Sequence, residues 1–226
     1  MIDIKNGICY IVAACKDGCD KINFKPCEND IVIAADGGYD ILNKLSVEAD
    51  VLLGDFDSIE DMPKHNNVVR YPSEKDDTDT FLAYKYAYEL GYRKFVIIGG
   101  IGGRIDHTVA NLITLSNIAE NGGIGYLIGN DTIITSITDS KIKFSDSLRG
   151  NISIFAHGKS AENVSIKGLK YSVDNISLSP SVTLGVSNEF TGDRAEVSVE
   201  NGTLLIIWYQ SPNEFLEEIK KNVTSN

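Results

Sequence analysis

The sequence predicts two fold classes in succession: an α/β domain on a mostly parallel sheet over residues 1–125, then an all-β antiparallel sandwich or partial barrel over 126–226. Three observations carry this. Up to residue 125, continuous apolar runs alternate with segments whose apolar residues recur every three or four positions, the βαβ texture of a sheet buried on both faces. After residue 128 that helical period does not return until the tail, and short β-rich runs follow one another. Within them Asn201-Gly202 separates EVSV from LLIIW, a hairpin signal because both turn residues accept positive φ. No flexible linker or internal repeat interrupts the 226 residues, which are enough for a substantial core.

The first strand is expected at 8–14 (ICYIVAA) and the second at 31–35 (IVIAA). Asp36-Gly37-Gly38 follows, and then Tyr39, Ile41, Leu42 and Leu45 space as one face of a short helix. Strands at 51–53 and 68–71 come next. Over 78–90, Leu82, Ala83, Tyr86 and Leu90 mark a helix with Asp76 as its N-cap and Gly91 as its stop. A strand at 95–98 runs into Gly99-Gly100-Ile101-Gly102-Gly103 and a helix carrying Val109, Leu112, Ile113 and Ser116 on one side, closed by Asn121-Gly122-Gly123. Beyond the strand at 124–128, β-runs are expected at 132–137, 151–155, 163–166, 182–186 and 195–199, with a short terminal helix at 214–221.

A formal net charge of −11 argues against a nucleic-acid partner, which would need basic patches. It does not argue against a single nucleotide, whose charge a divalent metal held by carboxylates can neutralise. Asp3 and Lys5 interrupt any apolar leader, so a cytoplasmic protein with reduced thiols is expected. The four cysteines lie at positions 9, 15, 19 and 27. Zinc on Cys15 and Cys19 is disfavoured by their spacing and by the lack of a nearby histidine. No run approaches the ~18 apolar residues of a membrane span.

Three clusters at expected strand ends carry the chemistry. Asp55 and Asp57 are two apart in an extended stretch, suited to a divalent metal or simply to a polar loop. Asp76 and Asp79 share a face of a helix N-terminus, where backbone N–H groups favour negative charge with or without a ligand. Lys75 beside them can meet a phosphate or a neighbouring carboxylate. Gly99, Gly100, Gly102 and Gly103 lead into a helix start, a ready anion site, although the spacing is neither a dinucleotide fingerprint nor a Walker loop. Arg104 can grip a phosphate through two nitrogens. Asp106 and His107 follow it, and a helix-start hydrogen bond is as natural for His107 as proton transfer.

Taken in order, Asp36-Gly37-Gly38, Gly54-Asp55-Phe56-Asp57-Ser58, Lys75-Asp76-Asp77-Thr78-Asp79 and Gly102-Gly103-Arg104-Ile105-Asp106-His107 resemble the motifs of the thiamin pyrophosphokinase family. Val186-Ser187-Asn188-Glu189-Phe190 resembles the Ser-Asn step of that family's β-domain. The resemblance implies transfer of a pyrophosphoryl group from ATP to thiamine, releasing AMP, by a homodimer of Rossmann-like and β-sandwich domains with shared active sites. It implies Mg2+ on Asp55, Asp57, Asp76 and Asp79, with Asp106 joining these four as a catalytic residue. ATP would be held by Asp36, Gly37, Gly38, Lys75, the glycines of 99–103, Arg104 and His107, and thiamine by Ser187 and Asn188. Two rivals stand beside it. A haloacid-dehalogenase-like phosphatase would use Asp55 as a covalent nucleophile, and a non-enzymatic module would sense nucleotide or metal.

Overall fold

The computed structural model describes residues 3–56 and 65–224. They form two compact units, one of Met1–Thr114, Leu127–Asp131 and Ser211–Asn226, the other of Leu115–Tyr126 and Thr132–Gln210.

The first unit is organised by parallel strands. β1 (Ile8–Val12) pairs with β2 (Ile31–Ala35) on one side and with β5 (Lys94–Ile98) on the other; β2 pairs with β3 (Val51–Gly54), and β3 with β4 (Val68–Arg70). Every pairing in this set is parallel. β1 is buried along its whole length, as its uninterrupted apolar run requires. Between strands come α1 (Gly38–Leu45), α2 (Asp79–Glu89) and the start of α3 (Ile105–Glu120). The carboxyl ends of β1, β2, β3 and β5 therefore open towards the starts of these helices, the place where parallel α/β sheets receive ligands. α4 (Pro212–Thr224), which the sequence grouped with the β-domain, belongs to this first unit. Asn213 fastens it, accepting from the Asn23 N–H at 2.8 Å and donating to the Lys21 carbonyl at 3.1 Å.

Glycine at position 38 has a packing cause. α1 starts so close to β1 that any side chain there would collide with the Val12 carbonyl oxygen. Gly37, with φ −62°, needs no glycine conformation and would bring a Cβ only to 3.1 Å from that of Ala14.

In the second unit the pairings of β7 to β13 described next are antiparallel. β13 (Asn201–Tyr209) lies between β7 (Thr132–Thr138) and β9 (Gly150–Lys167), and β12 (Ala195–Ser198) lies between β9 and β8 (Lys141–Phe144). β10 (Val173–Leu178) and β11 (Asn188–Phe190) also pair with β9. The expected strands at 151–155 and 163–166 are thus one strand of 18 residues. The expected strand at 182–186 is absent. Val182 and Val186 N–H groups close turns onto Ser179 and Thr183, so the apolar residues there mark a turn segment with Val182, Leu184 and Val186 exposed.

Two further expectations are corrected. The N-cap of α2 is Thr78, not Asp76, because Thr78 has the extended backbone and its Oγ1 accepts from the Phe81 N–H at 3.2 Å. On α3, Val109 and Ile113 face outward, while Asn111, Thr114, Leu115, Ser116, Ile118 and Ala119 are buried. Asn111, Thr114 and Ser116 are each hydrogen-bonded, which is how a partly polar face can point inward. β6 (Ile124–Ile128) follows α3 as expected. Among the described residues no helix is long and apolar enough to cross a membrane.

The contact between α1 and β1 can be tested by substitution. Gly38→Ala should cost about 3 kcal/mol or more in urea unfolding, and Gly37→Ala about 1 kcal/mol or less. Equal losses would refute the close approach.

Candidate active site

At the carboxyl ends of β1, β2 and β5 lies a cavity of about 440 Å³. Its wall is built from the loop after β1 (13–17), from Asp36 at the end of β2, from Thr78, Asp79 and Thr80 at the start of α2, and from the glycine turn after β5 with Arg104, His107 and Asn111. Gly99 has φ +72°, and a Cβ there would press on the Ala13 and Cys15 carbonyl oxygens, so only glycine lets the two loops meet.

Beside this cavity sits a charge cluster. Lys75 Nζ lies 2.7 Å from Asp79 Oδ1 and 3.7 Å from Asp55 Oδ2. The side chains of Lys75, Asp55 and Asp79 are only 14%, 16% and 22% exposed. Asp36 joins them electrostatically, and its N–H donates to the Leu53 carbonyl at 2.8 Å, which holds the end of β2 against the end of β3. Two unit charges ~4 Å apart interact by ~4 kcal/mol at an effective dielectric of ~20, so the cluster's balance matters. Burial opposes the Lys75 charge, but the hydrogen bond to Asp79 and the charges of Asp79, Asp55 and Asp36 outweigh it and hold the pKa above the ordinary 10.5. Burial also acts on Asp79 and, with Asp36 and Asp55 adding repulsion, keeps its carboxyl above the ordinary 3.8 in spite of Lys75. Both directions describe one situation, in which Lys75 stands among several carboxylates.

Other expected residues are placed differently. Asp76 is exposed and does not line the cavity. Asp106 is exposed and held by Arg104 through two contacts, Nη2 to Oδ2 at 2.6 Å and Nε to Oδ1 at 3.2 Å; this hydrogen bond is the main reason its pKa lies below the usual value. The Gly102 and Gly103 N–H groups, expected to face an anion, donate to Thr108 Oγ1 and Asp17 Oδ2. Gly37 and Gly38 stand outside the lining. Asp57 and Ser58 lie outside the described residues. Asn188 in the second unit is buried, and its amide is engaged with backbone: Oδ1 accepts from the Tyr171 and Glu189 N–H groups, and Nδ2 donates to the Tyr171 carbonyl at 2.8 Å. Ser187 beside it takes φ +59° and donates its N–H to Ser153 Oγ.

The sequence reading missed Lys16, Asp17 and Asn111. Asn111 is buried at the cavity wall and donates to the Gly100 carbonyl at 2.9 Å, fixing the glycine turn. Its place one helical turn beyond His107 was the available signal. Lys16 and Asp17 carry no periodic signal and become visible only when β1 is seen to pair with β5.

A glycine turn at a helix start, with a carboxylate and lysine cluster beside it at parallel strand ends, is the setting of nucleotide-dependent phosphoryl transfer. Comparison with known proteins narrows this. The family model described as the catalytic domain of thiamin pyrophosphokinase matches residues 27–124, and that of its vitamin B1 binding domain matches residues 139–204. The chain is 27% identical over 187 residues to the thiamine pyrophosphokinase of Bacillus subtilis (strain 168), covering 80% of this chain and 87% of that protein. It is 26% identical over 198 residues to thiamin pyrophosphokinase 1 of Caenorhabditis elegans, covering 80% and 79%. In fold it is similar to the crystal structure of the Bacillus subtilis enzyme, with TM-score 0.78 and 24% identity over 90% of this chain and 99% of that one. It is similar also to the structure from Candida albicans, with TM-score 0.68 and 18% identity over 89% and 88%. The chain belongs to the thiamin pyrophosphokinase family.

The cluster makes its own test. Lys75→Met leaves several carboxylates against one another and should lower stability by about 1–3 kcal/mol, some of which Asp79→Asn in the same chain should restore. Because the folded Lys75 pKa is raised, its contribution is complete below pH 10.5 and is lost as pH rises through the higher folded value. The stability gap between wild type and Lys75→Met should therefore stay constant from about pH 7 to 10 and close above pH 10.5 in denaturant titrations.

Proposed function

We propose that the chain transfers the pyrophosphoryl group of ATP to the hydroxyl of thiamine, giving thiamine diphosphate and AMP. One observation carries the reading beyond family membership: Lys75 is ion-paired with Asp55 and Asp79 beside a cavity that Asp79, Asp36 and a glycine turn line.

The reaction forms a bond from the thiamine oxygen to the β-phosphorus and breaks the bridge to the α-phosphate, so the leaving group is AMP. Such chemistry asks the protein for in-line placement and charge compensation more than for covalent participation. We assign the phosphate tail to the space bounded by Gly99, Gly100, Gly102, Gly103, Arg104 and His107, with Asp36 and Lys75 at its side. Arg104 can exchange Asp106 for phosphate because both side chains are exposed.

Among the described residues no three His, Cys, Asp or Glu side chains come together as a metal-binding group. The donor set nevertheless suits Mg2+. This ion takes oxygen ligands, keeps waters and is commonly held by one or two carboxylates together with substrate phosphates, so a complete protein cage is not required. Asp55 and Asp79, with Asp57 and Asp76 of the same motifs, are the residues we assign to it. Bound there, Mg2+ would neutralise charge on the transferring phosphates.

Thiamine we assign to the second unit, residues 126–226 in the sequence division, through Ser187. The commitment of Asn188 to Tyr171 gives that amide a shaping role in place of direct contact. We extend the proposal to a homodimer whose active sites take residues from both subunits, with residues 1–125 supplying nucleotide and metal binding. The phosphatase reading fares worse, since Asp55 follows the third strand and is ion-paired to Lys75.

Incubation with ATP, Mg2+ and thiamine should yield thiamine diphosphate and AMP in equal amounts. ADP with thiamine monophosphate would show attack at the γ-phosphorus and overturn the reading. Asp55→Asn should lower turnover by at least a hundredfold while the melting temperature holds or rises, since one of several crowded carboxylates is removed. A variant that loses stability yet keeps its activity would make Asp55 structural.

A further inference from the structure

Among the described residues, three cationic side chains stand at or beside the cavity, and they are tied to different degrees. Lys75 is largely buried and held by Asp79 at 2.7 Å. Arg104 grips Asp106 with two nitrogens. Lys16 lines the cavity from the loop after β1, and its Nζ meets Asp40 Oδ2 at 3.2 Å, the two side chains being 58% and 57% exposed. A single exposed pair of this kind is screened by salt and contributes little to stability, so its lysine is readily exchanged to a stronger anion.

The backbone around Lys16 is fixed where a phosphate binder would need it. The Cys15 N–H donates to the Gly99 carbonyl at 3.0 Å, and Asp17 Oδ2 accepts from the Gly103 N–H at 3.1 Å. The residues on either side of Lys16 are thus laced to the glycine turn, while its own four-carbon stem stays outside these bonds. A lysine ammonium is a compact charge on a flexible stem, able to follow a phosphate without a fixed fork geometry.

We propose that Lys16 is a phosphate-binding residue of the nucleotide site, leaving Asp40 for the phosphate tail when MgATP enters. The inference rests on the reading of this cavity as the ATP site. It makes Asp40 a competitor of the nucleotide for the same ammonium, and this fixes a sign. Removing Asp40 should help nucleotide binding or leave it unchanged, whereas removing Lys16 should harm it.

The experiment is calorimetric titration of the full chain with MgATP, without thiamine, for wild type, Lys16→Gln, Lys16→Arg and Asp40→Asn, with thermal melts of each. Lys16→Gln should weaken MgATP binding about tenfold, Lys16→Arg should retain most of the affinity, and Asp40→Asn should bind as wild type or tighter, all with nearly unchanged melting temperatures. Lys16→Gln binding as well as wild type would overturn the proposal. So would Asp40→Asn weakening binding as much as Lys16→Gln, since the pair would then be serving structure. A parallel product assay separates the two claims. Wild type that binds MgATP but makes no thiamine diphosphate would sink the assigned reaction and leave the role of Lys16 standing, whereas wild type that binds no MgATP would end both.

Discussion

Asp55 and Asp79 meet the Lys75 ammonium from the end of β3 and the start of α2, with the charge of Asp36 acting on them from the end of β2, and Lys75 offsets the repulsion among these carboxylates. Repulsion between carboxylates at strand ends would otherwise push the β2 and β3 turns and the start of α2 apart. The compensation is partial at Asp79, whose carboxyl stays harder to ionise than an ordinary one because of burial and the charges of Asp36 and Asp55.

The glycines illustrate how a motif can combine different physical demands. Gly38 is required because α1 starts against β1, and Gly99 because two loops cross. Neither requirement mentions a ligand, yet both bring backbone close enough to shape the cavity. The Gly102 and Gly103 amides are internally bonded to Thr108 and Asp17, so the turn is braced from both sides. Asn111 does the same for Gly100.

Much of the first unit was legible because parallel strands buried on both faces leave continuous apolar runs, as at β1 and β2. The charge cluster at 75–79 was legible because lysine and aspartates recur at a helix start. The N-cap was misplaced by two residues, since either a threonine or an aspartate satisfies the local rule and only backbone conformation decides between them. On α3 the apolar period misled, because Asn111, Thr114 and Ser116 are buried through hydrogen bonds that no hydropathy pattern reveals. In the second unit, β9 was read as separate pieces because charged and polar residues interrupt it; its continuity depends on the strands that pair along it. The valines and leucine of 182–186 have β-propensity but close turns instead, an outcome decided by tertiary context.

The place of α4 in the first unit has a consequence for synthesis. Asn213 binds the backbone at Lys21 and Asn23, and Lys220 donates to the Lys25 carbonyl, so residues made early find partners among residues made late. Chains emerge at roughly 5–20 residues per second, and a domain usually folds once its sequence has emerged. Here the first unit is not whole until the entire second unit has left the ribosome. The parallel strands must therefore wait with these contacts open, and a chain released early would carry every residue that lines the cavity yet lack the helix that completes their unit.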